Sequence, residues 1–338
     1  MKLRPFAVTL AVTGLFTVVV ASKLGGDTTM LWVDDFGTAL AALVAVIFCA
    51  LAGARQTGAL RRFWWLLAAA AGAWTIGELT WSSYELILHR DVPVPSWADV
   101  SYIAGYPLAV AALLSHPAMH RGGTRKIRSA LDGLVLATAL LFLSWTLVLG
   151  SLWHDSDLTT LGGLVSIAYP FCDVVLVFFV VLVVRRITGR ERVAIWCLLG
   201  GLLATGLADT TYLYLTQIDA YASGHLVDTA WVAGYLGIGL GAFVSGRDRT
   251  VLRTAESDAP SPASVVAPFV PMLGALTVAG IQMQTGHHLD GVAFGTALAL
   301  VVLVLARQLL LLGELFAQER HGEDGVGDRL AAALEVQR

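Results

Sequence analysis

Five carboxylates, Glu78, Asp99, Asp173, Asp209 and Asp228, stand inside or at the ends of long apolar runs of this 338-residue chain. An ionised carboxylate is expensive in hydrocarbon, so each must face a protein interior, meet hydrogen-bond donors or take up a proton. The donors available to them are tyrosine, tryptophan, serine and threonine: Trp81, Ser82, Tyr84, Tyr102, Tyr106, Tyr169, Thr210, Thr211, Tyr212, Trp231 and Tyr235. No basic residue is embedded deeply enough to pair with Glu78, Asp173 or Asp209. These acids and aromatics predict a polar, aromatic-lined cavity opening toward the outer leaflet, in which a small or amphipathic ligand binds. The same acids also have a structural reading, as helix caps and as interhelical hydrogen-bond partners. Asp99 follows Pro95-Ser96-Trp97 at a helix start, where a carboxylate suits the positive end of the helix dipole.

The chain lacks a GxxxxGK phosphate loop, an HExxH helix and a CxxC pair. His89, His116, His120, His154, His225, His287, His288 and His321 all fall in predicted loops or at span ends, so none forms a buried ligand pair. Acids without an evident nucleophile or metal site do not make a lipid-modifying centre. The expectation is therefore a protein that is not an enzyme, with no cofactor and no metal.

Several of these residues recur. Trp97-Ala98-Asp99-Val100-Ser101-Tyr102-Ile103-Ala104-Gly105-Tyr106-Pro107 returns 129 residues later as Leu226-Val227-Asp228-Thr229-Ala230-Trp231-Val232-Ala233-Gly234-Tyr235-Leu236. Gly77 and Gly206 keep the same offset, and Ala168-Tyr169-Pro170 echoes the step into Tyr106-Pro107. Recurrence at fixed spacing predicts one helical unit used several times. The two best copies share an orientation, which makes this a parallel internal repeat.

The elements that must position these groups are transmembrane helices. Hydrophobic residues make up 57% of the chain and charged residues 14%, where a soluble domain has roughly 25% charged. Ten stretches are apolar and long enough to span about 30 Å of hydrocarbon with allowance for tilt: 5–22, 36–54, 63–86, 98–116, 130–151, 162–184, 194–216, 227–245, 265–283 and 290–306. The fold class is all-α, a polytopic transmembrane helical bundle of about ten spans in five hairpins. Met1-Lys2-Leu3-Arg4 and the following run resemble a signal peptide, but the run is long and reads as a retained first helix. Cys49, Cys172 and Cys197 all lie in predicted spans, so no disulfide framework is implied.

Charge sets the orientation. Alternate loops and the two ends carry 20 of the 22 lysines and arginines, leaving only Lys23 and Arg90 on the other side. The positive-inside rule then puts both termini of a chain that crosses the membrane many times in the cytoplasm. Topology thus explains the arginines, and no nucleic-acid partner is expected. The outer connections are short and acidic, with Asp27, Asp34, Asp35, Asp91, Asp155, Asp157, Asp219 and Asp290. A membrane domain over 1–317 precedes a short cytoplasmic tail over 318–338, in which 328–335 reads as a separate final helix.

Gly77-Glu78-Leu79-Thr80-Trp81-Ser82-Ser83-Tyr84, followed by Pro93-Val94-Pro95-Ser96-Trp97-Ala98-Asp99-Val100-Ser101-Tyr102-Ile103-Ala104-Gly105-Tyr106-Pro107-Leu108, resembles the multi-pass membrane region ahead of GGDEF and EAL domains in actinobacterial cyclic-di-GMP signalling proteins. The likeness is strongest over 70–117, and Arg307-Gln308-Leu309-Leu310 resembles the exit helix of those proteins. It implies a sensory or regulatory input in the plasma membrane of a bacterial cell, with Glu78, Trp81, Tyr84, Trp97, Asp99, Tyr102 and Tyr106 at the matching positions. Trp97 thereby completes the thirteen expected ligand-binding residues, with Glu78, Trp81, Tyr84, Asp99, Tyr102, Tyr106, Tyr169, Asp173, Asp209, Asp228, Trp231 and Tyr235. This chain carries neither a GGDEF nor an EAL motif, so the resemblance brings no cyclase or phosphodiesterase activity with it. The expected function is a membrane sensor or regulatory module, in contact with membrane lipids, which signals through its C-terminal helix to a cytoplasmic or membrane partner. The alternative is a transporter or channel for a cation or small polar solute, using the embedded acids to neutralise charge.

Overall fold

The computed structural model describes residues 3–120, 125–150, 161–187, 190–245, 269–284 and 290–335. Among the described residues the chain is all helical. Ten α-helices cover the ten apolar stretches: α1 (Arg4–Ser22), α2 (Gly26–Arg55), α3 (Gly58–Ser82), α4 (Trp97–Ser115), α5 (Arg125–Ser144), α6 (Leu161–Val184), α7 (Arg190–Gln217), α8 (Asp228–Ser245), α9 (Phe269–Gln284) and α10 (Gly291–Glu335). Single π-helical turns extend α3 over Ser83–Ile87 and α5 over Trp145–Leu149. The acidic connection over 151–160, the inner loop over 246–268 and His287-His288 lie outside the described residues.

Six of these helices contain segments both long and apolar enough to cross a membrane: Arg4–Ser22, Gly26–Arg55, Trp97–Ser115, Leu161–Val184, Glu191–Gln217 and Gly291–Gly313. The chain is therefore a polytopic membrane bundle, while the count of ten spans exceeds what length and hydropathy alone support. The other four helices fall short for distinct reasons. In α9 there are only 16 residues, and α5 opens on Arg125, Lys126 and Arg128. In α3 and α8, tryptophan, glycine and a carboxylate dilute the hydropathy. Both are nevertheless largely interior, with Trp64, Leu67, Ala70, Ala71, Tyr235, Ile238 and Ala242 buried. A helix walled by other helices does not need a fully apolar surface.

Two cores organise the bundle. The larger is shared by α2, α3, α4, α6, α7 and α8, and the smaller joins α5, α9 and α10 through Val135, Phe142, Ala279, Leu300 and Val304. The two cores meet where α5 packs along α6. Peripheral α1 lies against α8 and buries only Val20, leaving Leu10 and Leu15 outward as a lipid-facing surface would be.

Close approaches fix the hairpins that matter for the site. A Cβ on Gly77 would strike the Tyr102 ring, and one on Gly105 the Trp74 indole, so α3 and α4 run antiparallel in tight contact. At the α7–α8 crossing it is backbone that stands in the way: a Cβ on Gly201 would lie 2.6 Å from the Gly234 carbonyl oxygen. Small residues at such crossings let membrane helices gain van der Waals contact.

Two sequence expectations change. Asp34 and Asp35, read as outer-loop acids, lie within α2, which begins at Gly26, and are only 6% and 5% exposed. The final helix expected over 328–335 is not separate, because α10 runs continuously to Glu335 and across the expected boundary at 317. No proline interrupts this stretch, and each glycine costs a helix only about 1 kcal/mol.

Candidate functional site

At the end of the large core away from the Arg61-Arg62 start of α3, the helices enclose a cavity of about 160 Å³. Glu78 lies 20 residues beyond Gly58, roughly 30 Å along α3. Of the thirteen expected site residues, ten line this cavity: Glu78, Trp81, Asp99, Tyr102, Tyr106, Tyr169, Asp173, Asp209, Trp231 and Tyr235. They come from five helices, with α3 giving two, α4 three and α6, α7 and α8 the rest.

The other three stand elsewhere. Trp97 is 75% exposed at the first position of α4, one residue after its Ser96 cap. Tyr84 sits in the π-turn that follows α3, outside the lining. Asp228 is buried beside the cavity at the start of α8, accepting from the Tyr221 hydroxyl at 3.2 Å and the Gly224 amide at 2.9 Å. The same amide reaches Asp34 at 3.1 Å, so two acids share one backbone donor.

Asp34, Asp35, Trp74, Tyr212 and Tyr221 also line the cavity without belonging to the expected set. The signal for the two aspartates was present in the eight residues separating them from the start of α2. An acid pair a little over two turns into a long helix is carried into the bundle, but a short acidic segment reads equally as a solvated loop.

Hydrogen bonds tie the acids to the aromatics across the bundle. The Tyr106 hydroxyl lies 2.9 Å from Asp173 Oδ1 and 3.3 Å from Asp209 Oδ2. A phenol has one proton, so it donates to only one of them at a time. The Trp231 indole donates to Asp209 Oδ1 at 2.6 Å, and Tyr235 donates to Glu78 Oε1 at 2.7 Å. Asp99 combines the two roles foreseen for it. Its Oδ2 accepts from the Ser96 amide and hydroxyl in a capping box, while Oδ1 accepts from the Tyr169 hydroxyl at 2.6 Å. The rings themselves pack edge to face, Tyr106 against Trp74 and Tyr169, and Tyr212 against Trp81 and Tyr221.

Acceptors outnumber donors. Six carboxylates line the cavity, Asp34, Asp35, Glu78, Asp99, Asp173 and Asp209, and no lysine, arginine or histidine is among the lining residues. Asp34 Oδ1, Asp35 Oδ2 and Asp173 Oδ2 are buried without a hydrogen-bond partner. Such orphaned acceptors cost stability unless something donates to them. The arrangement can therefore receive a small molecule that brings donors or positive charge, with aromatic faces to cover its apolar part.

All but Lys23 and Arg90 of the described basic groups lie toward the other end. Arg307, expected just beyond the last span, is fully buried in α10 and donates from Nε to Asp132 Oδ1 at 3.1 Å. Arg185, just past the end of α6, approaches Asp132 Oδ2 at 3.3 Å. A carboxylate on α5 thus draws Arg307 into the bundle, far from Glu78, Asp173 and Asp209. On the large core, Trp64, Ser245 and Glu191 form a second buried polar chain: Trp64 donates to Ser245 Oγ at 3.1 Å, and that hydroxyl donates to Glu191 Oε2 at 2.9 Å.

No protein-family model, curated protein or solved structure matches the chain.

Proposed function

We propose that this protein is a non-enzymatic membrane sensor or regulatory module, whose cavity binds a small or amphipathic ligand and whose C-terminal helix carries the response to a partner. The observation that carries this reading is the position of α6. Its Tyr169 and Asp173 line the cavity, and the residue following its end, Arg185, meets the carboxylate that holds Arg307 of α10. A ligand that moves α6 thereby alters the seat of α10. In this reading all ten helices cross the plasma membrane of a bacterial cell, with both termini and the arginine-rich end cytoplasmic. The hairpins α3–α4 and α7–α8 are two copies of one parallel repeat. Their equivalent tyrosines, Tyr106 and Tyr235, each donate to a cavity carboxylate, which supports that equivalence. The resemblance to membrane regions of cyclic-di-GMP signalling proteins points the same way, but the reading rests on the cavity and on α6.

The test is an experimental structure of the purified chain in lipid nanodiscs. Small-molecule or lipid-like density beside Glu78 and Tyr106 in a closed pocket is the expected result. A continuous hydrated path past Glu78 and Asp173, open or gated at the two faces, would instead make the protein a carrier of cations or small polar solutes.

A further inference from the structure

We propose that the ligand is a small organic cation, a protonated amine with a compact apolar body. The inference rests on the cavity being a ligand site and adds the chemical class. Three observations lead to it, each excluding a different kind of occupant.

The first is the sign of the lining. Six carboxylates and no basic side chain surround the space, so an anionic ligand would meet only like charge. The second is the orphaned acceptors. Asp173 is 7% exposed and Asp35 5%, both line the cavity, and each has one carboxylate oxygen buried without a donor. An ammonium N–H satisfies such an oxygen with a charge-assisted hydrogen bond. A quaternary ammonium has no N–H to give. The third is the spacing of the acids. Among the described residues no three His, Cys, Asp or Glu side chains converge closely enough to hold a metal ion. A bare divalent cation needs such convergence, whereas an amine needs one or two oxygens and a place for its carbon.

That place is supplied by rings. Trp74, Tyr102, Tyr106 and Trp231 line the same space as Asp173, and aromatic faces attract ammonium groups as well as covering apolar bodies. The volume of about 160 Å³ is roughly ten times what one water requires. It suits a molecule of a few carbons beyond the nitrogen rather than an acyl chain.

Isothermal titration calorimetry of the full chain in phosphatidylcholine nanodiscs tests the assignment, with empty nanodiscs as the blank. The probes are butylammonium, cyclohexylammonium and 2-phenylethylammonium, each beside the alcohol of the same carbon skeleton. At least one amine should bind, with its alcohol tenfold or more weaker. Asp173→Asn should weaken that amine at least tenfold while the protein still melts cooperatively, and Asp35→Asn serves in its place if the first variant does not fold. Alcohols that bind as tightly as the amines would overturn the cationic assignment and leave the cavity a ligand site. Amine binding unmoved by both variants would also overturn it, because the amine would then sit elsewhere. Silence from every amine and every alcohol would overturn it too, and a nanodisc structure with an empty cavity would then remove the ligand-site reading as well.

Discussion

Tyr106 holds the centre of the site with a single proton shared between two carboxylates. Tyr106→Phe removes the hydroxyl that reaches Asp173 and leaves a buried acceptor without it. The expected cost is about 1–3 kcal/mol of stability, read as a lowered thermal midpoint in detergent; an unchanged midpoint would mean that water already serves Asp173. Glu78→Gln is the complementary change. It keeps the size of the side chain and an acceptor for the Tyr235 hydroxyl, now 2.7 Å from Glu78 Oε1. Ligand response should therefore change more than folding, and loss of the protein from the membrane would assign Glu78 a structural role. At this scale the sequence was partly legible. Burial of acids in apolar runs forces them to gather donors, which is why Glu78, Asp173, Asp209 and their tyrosines could be picked out. Rotation about a helix axis is set by packing against neighbours. For that reason Trp97 and Tyr84 could not be told from the residues that face the cavity.

Helices meet at glycines, and the consequence differs from one glycine to the next. At Gly201 an added Cβ would sit 2.6 Å from the Gly234 carbonyl oxygen, with backbone rather than a flexible side chain in the way. Gly201→Val should separate α7 from α8 and cost about 1–3 kcal/mol or more, seen as a loss of monodisperse protein on size exclusion. Gly72 in α3 has nothing within 4 Å of an added Cβ. Gly72→Ala should be neutral or stabilising by up to about 1 kcal/mol, since alanine loses less backbone entropy than glycine in a helix. The existence of every described helix was readable from hydropathy, because burial in lipid demands apolar residues in long runs. What hydropathy could not supply was which helices are walled by others. Tryptophan, glycine and a carboxylate dilute the hydropathy of α3 and α8, yet both are walled by neighbouring helices. Nor could it place the start of α2, which decides whether Asp34 and Asp35 face water or the bundle interior.

Across the whole molecule, the cavity and the C-terminal helix belong to different cores joined along α5 and α6. Asp173 and Arg185 are 12 residues apart, roughly 18 Å of helix, so no side chain spans the gap and α6 itself is the most direct path for coupling. Asp132 is the joint on the far side, with Arg307 fully buried against it. Asp132→Asn removes the carboxylate that Arg307 and Arg185 both approach, and removal of one partner of a buried pair costs about 3–5 kcal/mol. If the two regions were independent, this change and Tyr106→Phe would add in their effects on ligand affinity, to within about 0.3–0.5 kcal/mol. A helix that transmits displacement gives a different result. Ligand binding then biases the seat of α10, and loosening that seat feeds back on binding by the same free energy. The double-mutant cycle on ligand affinity is therefore expected to show a coupling of about 1–3 kcal/mol. Ending the chain after Gly313 keeps Arg307 in place and should preserve that coupling while abolishing the response of a partner, which separates the sensing part of the molecule from the part that is read.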